Sequence, residues 1–128
     1  MTYLDTYAVV CLYAGNMGVL SSAAKAAIQD DDDLLISPMV LLELHYLRER
    51  KRVLRDSWRD VALALEMDWG VRVCHHPFAS IAAAAADRVT WIADPFDRLI
   101  VAHAMANGDR PLVTPDRLIR ARYRPSIW

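Results

Sequence analysis

The sequence predicts an α/β fold of three layers, in which helices cover both faces of a central, mostly parallel sheet. Short apolar runs typical of strands alternate with longer segments whose apolar residues recur at helical spacing. A helix between successive strands provides the crossover that parallel strands need, and such crossovers place helices on the faces of the sheet. A length of 128 residues, without an internal repeat or a low-complexity linker, fits a single domain over residues 1–128.

The first half of the chain begins with a β-rich run, TYL at 2–4, and a helix at about 6–14 that Gly15, Asn16 and Gly18 end. A second helix is predicted at 21–29, and the acidic run at 30–33 is typical of a solvated turn. The run LLIS at 34–37 indicates a buried strand, and Pro38 opens a long helix, PMVLLELHYLRERKRV, at 38–53.

In the second half, apolar spacing predicts a helix at 57–68, and Gly70 leads into the strand VRVC at 71–74. An alanine-rich helix is predicted at about 77–87, followed by a helix that begins at the motif DPFD and ends at about 107–108. The chain closes with a strand, PLVT at 111–114, a short helix at 115–121 and a last strand, SIW at 126–128.

Composition narrows the class of protein. The hydrophobic fraction of 55% leaves apolar surface for a dimer or a partner protein. No apolar run approaches the roughly 18 residues that cross a membrane, and the N-terminus does not resemble a signal peptide, so a cytoplasmic protein is expected. Cys11 and Cys74 are expected as buried, unpaired thiols in a reducing cytosol. A net charge of −1 argues against a bulk polyanion binder, although all the cations but Lys25 and Lys51 are arginines.

The segment ADPFDRLIVAHA, at 93–104, places two aspartates three residues apart at the start of an apolar run. Asp94 before Pro95 predicts a helix N-cap followed by proline at the first helical position. Asp97 then occupies the third helical position, where a carboxylate favours the positive end of the helix. Local capping alone could explain both aspartates.

Three further acids fall at places where α/β folds build their sites. Asp5 ends the first strand, and Asp116 lies two residues past the strand PLVT, while sites form beyond the carboxyl ends of strands. Glu43 lies on or beside the core-facing side of its helix, where a carboxylate needs a partner. Each acid has a local alternative: Asp5 and Asp116 could start helices, and Glu43 could pair with Arg48 or Arg50.

A shared location favours one site over four independent caps. Carboxylates that lie close together repel one another, and a divalent cation relieves this repulsion. Oxygen ligands without His or Cys favour Mg²⁺ or Mn²⁺ over zinc. Such a site suits phosphoryl transfer, since the metal binds the phosphate, lowers the pKa of a water and stabilises the leaving oxygen.

The motifs YLDTYAVV, SPMVLLEL, DPFDRLIVAHA and LVTPD resemble, in order and spacing, the motifs of the PIN-domain ribonucleases, and most of all the VapC-type toxins of bacterial toxin–antitoxin pairs. The resemblance covers nearly the whole chain, although residues 50–90 match in helix layout only. It implies a PIN-like fold and an acidic catalytic and metal site at Asp5, Glu43, Asp97 and Asp116, with Asp94 as the accessory acid and Thr6 and Thr114 as hydroxyl residues beside the acids.

The same resemblance implies an endoribonuclease dependent on Mg²⁺ (or Mn²⁺) that leaves 5′-phosphate and 3′-hydroxyl ends. It also implies a homodimer, and a cognate antitoxin that inhibits the chain as the toxin of a type II system.

Other functions compete with this one. A phosphoryl-accepting receiver or phosphatase-like domain also clusters acids at strand ends, but it needs a second acid close after Asp5 and a late lysine, and none follows Lys51. A metal-free ribonuclease would use histidines, whereas structural roles are expected here for His45, His75, His76 and His103. A PIN-like chain that only binds RNA or protein would be favoured by the loss of a site acid, and none is missing.

Two basic clusters are candidates for RNA contact. Arg48 and Arg50 follow Glu43, together with Lys51, Arg52 and Arg55. Arg117 opens a second cluster after the fourth acid, with Arg120, Arg122 and Arg124. Phosphate positioning is the functional interpretation, and a solvated helix end or plain surface charge is the alternative.

Overall fold

The computed structural model of the protein describes residues 1–50 and 55–128. Its strands are β1 (Thr2–Leu4), β2 (Leu34–Ile36), β3 (Arg72–Val73), β4 (Leu112–Val113) and β5 (Ser126–Ile127). Within the described residues they form one sheet in the order β3-β2-β1-β4-β5, and every neighbouring pair is parallel. The predicted parallel sheet is therefore confirmed.

Helices connect successive strands from β1 to β5, as the alternating pattern predicts. In the described residues they are α1 (Thr6–Tyr13), α2 (Ser22–Gln29), α3 (Pro38–Glu49), α4 (Trp58–Trp69), α5 (Phe78–Arg88), α6 (Pro95–Ala106) and α7 (Arg117–Arg122), with a 3₁₀ turn at Met17–Val19.

Every helix and strand that the sequence predicts is present, and the differences lie at the ends. The strand LLIS stops before Ser37 because the Ser37 hydroxyl accepts a hydrogen bond from the Met39 N–H at 3.1 Å and so caps α3. The helix predicted at 38–53 ends at Glu49, with Arg50 as its C-cap. Residues 51–53 of that prediction lie outside the described residues.

The central strands are buried along their whole length. Every residue of β1, β2 and β4 is buried, and successive side chains of a strand point to opposite faces of the sheet. Both faces must therefore be covered, as the three-layer prediction requires. β1 lies in the middle, where Leu4 is in register with Ile36 of β2 and Val113 of β4.

The strand order determines where a site can form. The chain builds the sheet outward from β1 through β2 to β3, and then returns to place β4 and β5 on the other side of β1. Open α/β sheets bind ligands in the crevice at this reversal, beyond the carboxyl ends of the strands. Asp5 follows β1 and Thr114 follows β4, so the first and last motifs meet at this crevice.

Both cysteines belong to the buried core. Cys11 and Cys74 are buried and unpaired, as predicted, and the Tyr3 hydroxyl donates to Cys74 Sγ at 3.1 Å. None of the described helices has the length and apolar character to cross a membrane.

Candidate active site

Asp5 is held at the carboxyl end of β1 through both its backbone and its side chain. Its N–H donates to the Val113 carbonyl at 3.1 Å, which extends the β1–β4 pairing by one residue. Its carboxylate accepts hydrogen bonds from the Ala8 N–H at 2.8 Å and from the Thr114 hydroxyl. Asp5 is therefore the N-cap of α1, as its local alternative proposes, and this role leaves only 8% of the residue exposed.

Asp116 has the same role at the start of α7. Its carboxylate accepts from the Ile119 N–H at 2.8 Å, and its own N–H donates to the Thr114 hydroxyl oxygen at 3.1 Å. Thr114 thus contacts both Asp5 and Asp116. The buried Thr114 side chain fixes two acids of different motifs relative to each other.

Asp94 caps α6, with Pro95 at the first helical position, as the sequence predicts. The Asp94 carboxylate accepts from the Phe96 N–H at 2.9 Å and from the Asp97 N–H at 3.0 Å. Asp94 is exposed, whereas Asp97 is half-buried. The two aspartates of DPFD therefore have different roles: Asp94 caps the helix, and Asp97 is turned toward the crevice.

Glu43 reaches the crevice from α3, and the Thr6 hydroxyl of α1 donates a hydrogen bond to its carboxylate. The start of α3 is fixed by Ser37, whose hydroxyl lies 3.0 Å from Nδ1 of the buried His103 on α6. The same His103 nitrogen lies 2.9 Å from the Leu99 carbonyl. These contacts hold α3 against α1 and α6, and with it the position of Glu43.

The four predicted acids meet at one cavity of about 240 Å³, lined by Asp5, Thr6, Tyr7, Glu43, Asp97, Pro115 and Asp116. We call it the acidic cavity. Asp94 does not line it. Tyr7 and Pro115 are lining residues that the sequence reasoning missed, although each directly adjoins a residue that it had singled out.

Burial in the acidic cavity disfavours the charged form of Asp5, Asp97 and Glu43 and so raises their pKa values. Burial raises the pKa of Asp5 to about 7, although hydrogen bonds from the Ala8 N–H and the Thr114 hydroxyl favour the charged form. Burial also raises the pKa of Asp97 to about 6, with a further increase from the charge of Asp94. The pKa of Glu43 is raised by burial as well, against the hydrogen bond from Thr6.

Within residues 1–50 and 55–128, no cationic side chain forms an ion pair with the four acids, Asp5, Glu43, Asp97 and Asp116. The alternative pairing of Glu43 with Arg48 or Arg50 is therefore not formed. Protonation of carboxyl groups with raised pKa values, or a cation from outside these residues, would neutralise the cavity.

The donor chemistry of the cavity fits a hard divalent ion. Within residues 1–50 and 55–128, no three His, Cys, Asp or Glu side chains converge closely enough to hold a metal ion directly. Asp5 and Asp116 are turned to helix N–H groups, and Glu43 is turned to Thr6. Mg²⁺ does not require such convergence, because it binds through one or two carboxylates and retains several waters.

The other predicted residues lie around this centre. Arg48 and Arg50 are exposed at the end of α3, and the Arg48 Nε donates to the Arg55 carbonyl at 3.2 Å. Arg117 is exposed and directly follows Asp116. Lys51 and Arg52 lie outside the described residues. Among the described residues that line the acidic cavity, none is a histidine.

Comparisons with known proteins agree with the motifs and the fold. The family model for the PIN domain matches residues 2–124. The chain is 33% identical over 118 residues to Ribonuclease VapC22 of Mycobacterium tuberculosis, which covers 85% of this chain and 85% of that protein. The structure of the present chain is similar to a solved one, titled "Crystal structure of VapBC2 from Rickettsia felis bound to a DNA fragment from their promoter". The TM-score is 0.63 at 21% identity, with all of both chains covered, and at this identity the likeness supports the fold alone.

The raised pKa values predict how stability depends on pH without metal. The folded protein binds more protons than the unfolded chain between the ordinary carboxyl pKa and the raised values of about 6 for Asp97 and about 7 for Asp5. Their contribution to stability is therefore present at low pH and is lost as pH rises through 6 and 7. In EDTA, the melting temperature should therefore fall as the pH rises from about 4 to about 7, and it should level off above that range.

The Asp5→Asn variant isolates this effect, because Asn keeps the N-cap but carries no charge. At about pH 8 it should melt at least about 3 °C above the wild type, and the difference should shrink toward pH 5. Comparing the variant with the wild type also cancels the opposite contribution of His103, whose pKa is lowered by burial. Calorimetric scans that show no stabilisation by Asp5→Asn at pH 8 would contradict the cost of burying the Asp5 charge.

Proposed function

The chain belongs to the PIN-domain family, as a VapC-type member, and we propose that it is a metal-dependent endoribonuclease that acts as the toxin of a type II toxin–antitoxin system. The observation that carries this proposal is the acidic cavity, in which acids from four separate motifs meet at the carboxyl edge of a parallel sheet. The relative VapC22 is named a ribonuclease, and because this chain belongs to the same family, we assign the same activity to it.

Asp5, Glu43, Asp97 and Asp116 are the residues that would hold Mg²⁺ or Mn²⁺. When bound, the ion would coordinate the RNA phosphate, lower the pKa of the attacking water and stabilise the leaving oxygen. An RNA phosphate is itself an anion, so the uncompensated carboxylates repel it. The cation is therefore required for the substrate to enter as well as for the chemistry.

The side chains around the acids fix their positions before the substrate arrives. Thr6 holds the Glu43 carboxylate, and Thr114 spans Asp5 and Asp116. Asp94 starts the helix that carries Asp97 into the cavity. Such preorganisation favours hydrolysis because the site does not have to rearrange during the reaction.

RNA contact by Arg48, Arg50 and Arg117 is part of the proposal. Arg117 has the best position, since it directly follows a residue of the acidic cavity. Arg48 and Arg50 lie at the end of α3, beyond Glu43, and would contact phosphates farther along the strand. Arginines of this kind position RNA without reading its sequence.

A cognate antitoxin is the proposed partner, and α3 offers it a binding surface. A cleft of about 280 Å³ along this helix is lined by Pro38, Leu41, Leu42, His45 and Trp58. Leu42 is 43% exposed and Tyr46 is 42% exposed on the same helix. We expect the antitoxin to place apolar side chains here and to bring an arginine to the acidic cavity, where a guanidinium binds carboxylates by paired hydrogen bonds.

Homodimerisation and a cytoplasmic location complete the proposal. Large apolar side chains are exposed outside the α3 cleft, among them Leu63, Met67 and Phe78. Apolar surface of this kind marks protein–protein contacts when it is contiguous. A cytoplasmic location would place the enzyme with its RNA and would keep both buried thiols reduced.

The aspartates of DPFD allow a matched test of the active site. Asp97→Asn should lower RNA cleavage at least about 100-fold, because Asp97 lines the cavity and would contact the metal. Asp94→Asn keeps the N-cap and should lower cleavage less than about tenfold. Rates are measured on purified protein with unchanged circular dichroism, and equal losses would show that the roles of the two aspartates are misassigned.

Removal of the cation and replacement of the histidines are the controls for this cleavage assay. Cleavage should disappear in EDTA, return with Mg²⁺ or Mn²⁺, and recover only weakly with Ca²⁺, which positions ligands more loosely. Replacement of His75 and His76 by Gln should leave cleavage intact. Full activity in EDTA would exclude the metal mechanism, and folded protein that never cuts RNA would favour a binding module.

The toxin role predicts a growth phenotype. Expression of the wild type should arrest growth, and co-expression with the small protein encoded beside it should restore growth. Asp5→Asn should be harmless and should still capture that partner, since most of the proposed interface is apolar. The measurements are a growth curve and a pull-down.

Two outcomes of the growth test would count against the proposal. Harmless expression of soluble, folded wild type in several hosts would contradict the toxin role. Full toxicity of Asp5→Asn would show that toxicity arises away from the acidic cavity.

A further inference from the structure

A second cavity, of about 550 Å³, lies at the end of the chain. Three arginines, Arg117, Arg120 and Arg124, line it, and we call it the arginine pocket. Its remaining walls come from α2, α7 and the C-terminal segment: Ala23, Ala121, Ser126, Ile127 and Trp128. The volume exceeds the 240 Å³ of the acidic cavity.

The charge of this pocket is available to a ligand. None of the ion pairs within the described residues involves Arg117, Arg120 or Arg124. Arg122, from the same segment, differs, because its guanidinium lies 5.8 Å from the centre of the Trp91 ring. Three guanidinium groups around one pocket favour an anion with several oxygens, since each can donate paired hydrogen bonds to phosphate.

The arginine pocket and the acidic cavity lie next to each other, although no residue lines both. Asp116 lines the acidic cavity, and the next residue, Arg117, lines the arginine pocket. Tyr7 lines the first and Trp128 lines the second, and the two rings meet edge to face with their centres 5.8 Å apart. The contact between Tyr7 and Trp128 therefore connects the linings of the two cavities on this side.

From this arrangement we infer that the arginine pocket is a phosphate subsite for single-stranded RNA, next to the phosphate that is cut. The inference rests on the proposed ribonuclease function and adds the path of its substrate. The acidic cavity with its cation receives the phosphate to be cut, and the arginines hold the backbone beyond it. Tyr7, which is 48% exposed, stacks on a base between the two.

A cationic pocket beside an exposed aromatic ring favours a single strand. Proteins that bind single-stranded nucleic acid combine a positive groove for the backbone with aromatic side chains for the bases. A duplex keeps its bases stacked on one another, so Tyr7 would have no base to receive. An acidic peptide of a partner protein would use the arginines alone and would leave Tyr7 without a role.

The test is a double variant, Arg120→Ala with Arg124→Ala, which removes two charges from the pocket and leaves Arg117 beside Asp116 intact. The matched control is Arg59→Ala with Arg110→Ala, since these arginines line neither cavity. Both pairs are made in the non-cutting Asp5→Asn background, and unchanged melting temperatures establish that they fold. The probe is a fluorescein-labelled single-stranded RNA of about 12 nucleotides, followed by fluorescence polarisation at several salt concentrations.

The pocket variant should bind the probe at least about tenfold more weakly at low salt, and the slope of log K against log salt should decrease by about 1.4, which corresponds to two lost phosphate contacts. The control should keep the affinity and the slope of the parent. With Asp5 restored, the pocket variant should cleave RNA with a raised KM and an unchanged kcat.

The stacking role of Tyr7 is tested separately. Tyr7→Phe should bind as the parent does, whereas Tyr7→Leu should bind at least about fivefold more weakly because stacking is lost.

The outcomes separate this inference from the function on which it rests. A wild type that cuts no RNA would overturn both. Cleavage by the pocket variant with the wild-type KM, or a slope equal to that of the control, would overturn the subsite alone. Loss of the antitoxin complex without loss of RNA affinity would show instead that the pocket binds an acidic segment of the partner.

Discussion

Hydrogen bonds from helix N-termini hold Asp5 and Asp116 at the carboxyl edge of the sheet, and another such cap, at Asp94, starts the helix that carries Asp97. Asp5, Asp94 and Asp116 each accept a backbone N–H at the start of a helix, an interaction of about 1 kcal/mol per cap. The sheet order brings the starts of α1 and α7 together beyond β1 and β4. The same caps therefore stabilise the fold and gather negative charge in one place, and the raised pKa values of Asp5 and Asp97 reflect the burial of that charge.

This arrangement places opposite charges side by side along one edge of the molecule. The acidic cavity has no cation of its own among the described residues, while the arginine pocket next to it has arginines without ion pairs. A substrate with regularly spaced negative charges would be repelled by the first until a metal ion binds, and attracted by the second at all times. The metal ion that activates RNA cleavage and the antitoxin arginine that would inhibit it would both bind at the acidic cavity.

The sequence predicted the parts of the site that depend on local rules. N-caps, proline at the first helical position and acids after strands are all visible in short motifs, and the order of strands and helices predicted the layers. Contacts between distant segments were not predictable in this way. Ser37 and His103 are 66 residues apart, and the contact between Tyr7 and Trp128 joins the two ends of the chain. Such pairings depend on how the helices pack. Packing also decides that Arg122 lies over the Trp91 ring whereas Arg120 lines the arginine pocket.

The central claim is that the four carboxylates act as one metal site, and proton release on metal binding tests it most directly. Mn²⁺ is titrated into the wild type by calorimetry at about pH 6.5, in buffers with different heats of ionisation. Since Asp5, with a pKa of about 7, and Asp97, with a pKa of about 6, hold protons before the metal binds, binding should release about one proton per ion. The release should approach zero near pH 8 and should be smaller for Asp5→Asn. Saturable binding without proton release at pH 6.5, or no binding, would contradict the claim.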